Sequence, residues 1–143
     1  MTRLIKTLLI ALALFGLAAC TSKPLLQPQV ALPPDREFSQ VEMQQAIVAA
    51  LEARHWRVGR IDTGRINAAI SVRKRHHAAI VVEYTPFDFA IRYRNSQGLE
   101  YEDGEIHRNY NRWVNSLRAE ILHQLKLPKN PVSQPSSRRR PCN

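Results

Sequence analysis

Between Arg65 and Arg94 the apolar residues recur every second position, and that period allows only one kind of local structure. Ile66, Ala68, Ile70 and Val72 alternate with Arg65, Asn67, Ala69, Ser71 and Arg73. Ala78, Ile80, Val82 and Tyr84 then alternate with His77, Ala79, Val81 and Glu83, and Phe89, Ile91 and Tyr93 with Ala90, Arg92 and Arg94. Successive side chains of a strand point to opposite faces, so each run predicts a half-buried strand with one apolar face. Thr85-Pro86-Phe87-Asp88 and Asn95-Ser96-Gln97-Gly98 read as turns, the second leading into a short strand over Leu99–Glu102. Trp56–Asp62, with Gly59 inside it and Gly64 just after it, reads as a less regular first strand with a bulge or an edge position. Short connections predict antiparallel neighbours.

On either side of this region the period is helical. Met43, Ile47, Ala50 and Leu51 make one apolar stripe behind the capping box Ser39-Gln40-Val41-Glu42, and this helix is expected to stop near Arg54 or His55. Ile106, Tyr110, Trp113, Val114, Leu117, Ile121 and Leu125 make a second stripe, with Asn109 as a candidate cap and Pro128 as the stop. The order helix, strands, helix predicts an α+β two-layer sandwich. Its antiparallel meander of four to five strands carries the N-terminal and C-terminal helices on one face. The other face is expected to show Arg65, Asn67, Arg73, Glu83, Arg92 and Arg94.

The ends of the chain differ from its middle. Arg3 and Lys6 precede an apolar run, Thr7–Gly16, that is too short to span a bilayer, and Leu17-Ala18-Ala19-Cys20 follows it. This layout resembles a bacterial lipoprotein signal with its lipobox. The resemblance implies removal of residues 1–19, a diacylglycerol thioether on Cys20 and acylation of its amine with palmitate-like chains. With Thr21 rather than an aspartate next, it further implies an outer-membrane location facing the periplasm. The run Ile106-His107-Arg108-Asn109-Tyr110-Asn111-Arg112-Trp113-Val114 is likewise similar to a stretch in small uncharacterised proteobacterial lipoproteins, a likeness covering Ser39 to Leu125 and carrying no known activity. Residues 20–35, with Pro24, Pro28, Pro33 and Pro34, read as an extended tether, residues 36–127 as the domain, and residues 128–143 as a disordered basic tail.

Charge adds little to the choice of partner. The formal charge is +9, but Arg3 and Lys6 leave with the signal, and Lys23, Lys129, Arg138, Arg139 and Arg140 fall in the predicted tails. Basic ends on an exported chain argue against a nucleic-acid partner and for anionic lipid or an acidic envelope protein. Of the two cysteines, Cys20 is the expected lipid site and Cys142 is a terminal thiol, so no internal disulfide is expected.

Candidate binding residues are Arg73, Lys74, Arg75 and His77 at a predicted hairpin tip, extended by Arg92 and Arg94 on a neighbouring strand. A solvated turn is the simpler reading of such a tip. Adjacent His76 and His77 point to opposite faces of a strand and would not share a metal, and His55, His107 and His123 lack ligand spacing. No cofactor, metal or catalytic residue is expected, because the sequence holds no nucleophile elbow and no paired carboxylates. The sequence therefore predicts a non-enzymatic interaction module, with an anionic small molecule or lipid headgroup as the alternative ligand.

Overall fold

The computed structural model describes residues 21–129. Cys20, the expected signal, Cys142 and the Arg-rich stretch 138–140 lie outside the described residues. The described chain forms an α+β fold. It runs β1 (Ser22–Pro24), β2 (Gln29–Ala31), α1 (Gln40–Ala53), β3 (Arg57–Asp62), β4 (Arg65–Val72), β5 (His76–Tyr84), β6 (Asp88–Gln97), β7 (Glu105–His107) and α2 (Arg108–Gln124). Five strands make an antiparallel sheet in the order β2-β6-β5-β4-β3, and β1 pairs with β7 in a separate two-stranded sheet.

The alternation places the core as expected. Ile66, Ala68, Ile70, Ala78, Ile80, Val82, Phe89 and Ile91 are buried together with Met43, Ile47, Ala50 and Leu51 of α1 and Tyr110, Val114, Leu117 and Ile121 of α2. Both helices therefore cover one sheet face, running antiparallel and joined across their outer side by Arg54 and Glu120 at 3.2 Å. The capping box forms in full, with Glu42 N–H donating to Ser39 Oγ and Ser39 N–H donating to the Glu42 carboxylate. These bonds hold the Glu42 carboxyl below the usual range.

Helix ends follow a common logic that the sequence concealed. His55 and Lys126, both at positive φ, follow the last turns of α1 and α2. Trp56 N–H returns to Leu51 C=O and His55 N–H to Glu52 C=O, and Leu127 and Lys126 repeat this pattern on Leu122 and His123. These are Schellman closures built without glycine. The second helix consequently stops at Gln124, before Pro128 is reached.

Three expectations are corrected. Residues 20–35 are not a free tether through their described part, because Ser22–Pro24 and Gln29–Ala31 are strands, so the folded unit takes in residues before 36. Proline is tolerated here because both strands are edges, where a missing N–H leaves no ladder bond unmade. Val30 and Leu32 are buried, and Leu25 and Leu26 pack on the core. Leu99–Glu102 is not a strand; Leu99 is buried and Glu102 only bridges back to Glu105 across a tight turn. Ile106 belongs to β7 rather than to the last helix, which starts at Arg108 and is capped by His107, whose Nδ1 accepts from Asn109 N–H, rather than by Asn109.

Asn111 fastens the N-terminal segment to α2. Its side-chain amide donates to Pro24 C=O at 2.8 Å and its Oδ1 accepts from Leu26 N–H at 2.9 Å. Asn111→Ala leaves two backbone groups without these partners, and we expect a loss of about 1–3 kcal/mol. Amide hydrogen exchange at Leu26 should accelerate more than exchange in β4 or β5.

Tyr110 is fully buried, its ring edge on Tyr93 at 5.6 Å, and its hydroxyl has no hydrogen-bond partner among the described residues. Burial, with a smaller contribution from Tyr93, pushes its pKa well above the usual phenol value. The unfolded chain releases this proton near pH 10 and the folded chain keeps it, so stability falls as the pH rises above about 10. Tyr110→Phe should remove that part of the alkaline loss and leave neutral-pH stability equal or higher, as read by denaturant melts at pH 7 and pH 11.

Candidate functional site

The sheet face opposite the helices is not covered by any described element. It carries Arg65, Asn67, Ala69 and Ser71 of β4, His77, Ala79, Val81 and Glu83 of β5, and Ala90 and Arg92 of β6. Glu83 holds both Arg65 and Arg92 at 3.6 Å, a cross-strand arrangement at half-exposed positions where such pairs contribute little to stability. Arg92 also donates to Gln29 Oε1, and Arg94 to Asn67 Oδ1. The two sheet arginines predicted as ligand contacts are thus engaged within the fold.

A register shift in β6 decides what else lies on this face. Ile80 pairs with Tyr93, but Ala79 pairs with Asn95, so Arg94 is an extra residue on its strand. Such a bulge inverts the alternation beyond it. Asn95 and Gln97 join the open face, and Ser96 turns toward the helices, where its hydroxyl meets Tyr93 Oη at 2.9 Å. Together with His55, Arg57, Ser71 and His77 they rim a groove of about 460 Å3 whose floor is the Ala69–Ala79 pair. Sequence alternation alone missed Asn95 and Gln97, because a one-residue bulge leaves no mark on composition. Arg57 and His55 were passed over because neither belongs to a motif; the signal available was their place beside an alternating strand of small residues.

The groove rim offers a guanidinium, two imidazoles, a hydroxyl and two amides, and holds no carboxylate. That set donates hydrogen bonds and positive charge to an acidic group, and an alanine floor lets a flat partner approach the backbone. Ser71 and His77 are direct cross-strand partners within it. Among the described residues there is no cluster of metal-ligating side chains.

Arg73, Lys74 and Arg75 connect β4 to β5 at one end of the groove. Arg73 and Lys74 both sit at positive φ, 53° and 55°, and Arg75 N–H donates to Val72 C=O. None of the three has an ion pair among the described residues. His76 turns away from His77, as strand geometry requires: its Nδ1 lies 2.6 Å from Gly98 C=O, so it donates there, and its ring stacks on His107 with centroids 6.1 Å apart. The predicted patch therefore divides into a free hairpin tip with His77 behind it, and a pair of arginines tied into the sheet.

The tip is held in place by Gly98. At φ 70° its Cα passes so close to Arg75 that an added Cβ would lie 2.1 Å from the Arg75 carbonyl oxygen. Gly104 has a similar φ of 78° with open space around it. Gly104→Ala should therefore cost only the left-handed backbone penalty, about 1–2 kcal/mol. Gly98→Ala should cost more and displace the hairpin, which chemical-shift changes at Arg75 and His76 would report.

No protein-family model matches the chain, and no curated protein matches it in sequence. No helix among the described residues is long and apolar enough to cross a membrane.

Proposed function

We propose that this is a lipid-anchored cell-envelope protein, held at Cys20 in the outer membrane and facing the periplasm, that works by binding rather than by catalysis. Its contact surface is the open sheet face, with the groove around Ala69 and Ala79 as the centre. The observation that carries this reading is the carboxylate-free rim of Arg57, His55, His77, Ser71, Asn95 and Gln97, every member of which can donate a hydrogen bond, on a face that no described element covers. An acidic segment of an envelope protein supplies the carboxylates that this rim lacks. At the lower part of the face Glu83 offsets one of the two positive charges of Arg65 and Arg92, whereas the groove holds Arg57 with no carboxylate on its rim.

The lipid anchor is tested by mass spectrometry of the membrane fraction. The wild type should yield an N-terminal peptide that begins at Cys20 and carries acyl chains, and Cys20→Ala should leave the membrane fraction. Partner binding is tested by in-cell photocrosslinking from Asn95. A discrete crosslinked envelope protein should appear, weaken at least several-fold with Arg57→Glu, and persist with Arg92→Ala. Crosslinks that are absent, or that ignore Arg57→Glu, would overturn the groove as the contact surface.

A further inference from the structure

The fold leaves almost no chain between the expected lipid and the domain. Thr21 C=O accepts from Arg108 N–H at 3.0 Å, and Ser22, Lys23 and Pro24 are paired with His107, Ile106 and Glu105. Cys20 is joined to Thr21 by one peptide link, about 3.8 Å between Cα atoms. A free proline-rich segment of the same length would have reached tens of ångströms at about 3.1 Å per residue. Strand pairing removes that reach.

This end of the molecule has a basic side and an acidic side. The hairpin tip of Arg73, Lys74 and Arg75 belongs to this end, because His76 stacks on His107, the residue that caps the helix holding Thr21. Beside the tip, a cleft of about 470 Å3 opens between the end of α1 and the first turns of α2, lined by Trp56, Ile70, Val72 and Trp113 with Arg73 at its rim. The indole N–H of Trp56 is buried there without a partner among the described residues. Trp56 is itself buried in the core, and it is the partly buried Trp113 beside Arg73 that suits the headgroup level of a bilayer, where one end of a side chain is wet and the other apolar. Glu100, Glu102, Asp103 and Glu105 surround Ser22 on another side of the same end. An anionic surface repels that loop and attracts the hairpin, which sets a tilt with the hairpin down.

We infer that the end of the domain carrying Arg73, Lys74 and Arg75 rests on the anionic headgroups of the bilayer that holds the protein's own anchor. This inference rests on lipidation at Cys20. The hairpin is then a membrane contact, separate from the sheet-face groove, and the groove is presented sideways, close to the membrane. The turn around Phe87 lies at the far end of β5, roughly 30 Å away at about 3.3 Å per residue. Phe87 is 76% exposed there.

The test uses the full lipidated chain in a Cys142→Ser background, reconstituted into vesicles of phosphatidylethanolamine and phosphatidylglycerol. An environment-sensitive fluorophore is placed at Lys74→Cys or at Phe87→Cys, and quenching by a headgroup spin-labelled lipid is measured. The label at position 74 should be quenched several-fold more than the label at position 87. A flexible spacer of about twelve residues between Cys20 and Thr21 should lower that difference while the protein stays on the vesicles. Arg73→Ala with Arg75→Ala should lower it at least twofold on anionic vesicles and little on phosphatidylcholine. Equal quenching at both positions, or no response to the spacer, overturns the inference while leaving the anchor intact. A protein whose N-terminal peptide lacks lipid and that does not stay on vesicles overturns the anchor reading, and the inference with it.

Discussion

The apolar face shared by β4, β5 and β6 can leave water only beneath α1 and α2, and the rest of the molecule follows from that one-sided burial. Ile66, Ile80, Val82 and Ile91 supply the sheet's half of the core, and Met43, Ile47, Leu51, Leu117 and Ile121 the helices' half. Because strand side chains alternate, covering one face obliges the other to be polar or to find a partner. Here the second face holds two arginines sharing the one carboxylate of Glu83, and a groove with Arg57 and no carboxylate on its rim. Removing side chains from the first face would destroy the layer; changing the second alters only what the layer can hold.

The edges of this sheet are treated differently from one another. β3 is a bulged edge, irregular between Val58 and Ile61, which disrupts the row of backbone groups that another strand could add to. The opposite edge is closed by β2, a short strand drawn from the proline-rich segment. The entry point of the chain at Thr21 is fixed separately, by its bond to Arg108 and the pairing of β1 with β7. The stretch that would otherwise have been spacer thus does two jobs, β2 on the β6 edge and β1 at the entry point.

Much of the architecture was legible in the residues. The two periods located α1, β4 to β6 and α2, the capping box marked the start of α1, and the alternation put Glu83 on the polar face, where it meets both Arg65 and Arg92. The proline-rich segment was misread because proline density hides a weak apolar pattern. Leu25, Leu26, Val30 and Leu32 were visible, but nothing local says that an edge will be waiting for them. The candidate site was legible only in part. Arg73, Lys74, Arg75 and His77 were found from charge at a hairpin, whereas Asn95 and Gln97 depend on the bulge at Arg94, and a bulge is chosen by how neighbouring strands fit.

By itself the sequence determined which segments are helix or strand and which faces are apolar, because both depend on spacing along the chain. It also holds the lipobox-like run Leu17-Ala18-Ala19-Cys20, on which the proposed anchor rests and which needs no fold to be read. The tertiary structure alone decided that the chain is pinned from Thr21 onward, that Arg92 and Arg94 are engaged while Arg73 to Arg75 stand free, and that His55, Arg57, Ser71, His77, Asn95 and Gln97 share one groove. Each of these depends on contacts between residues far apart in sequence, as in the bonds from Asn111 to Pro24 and Leu26. Their partners are set by packing, and no local pattern specifies packing.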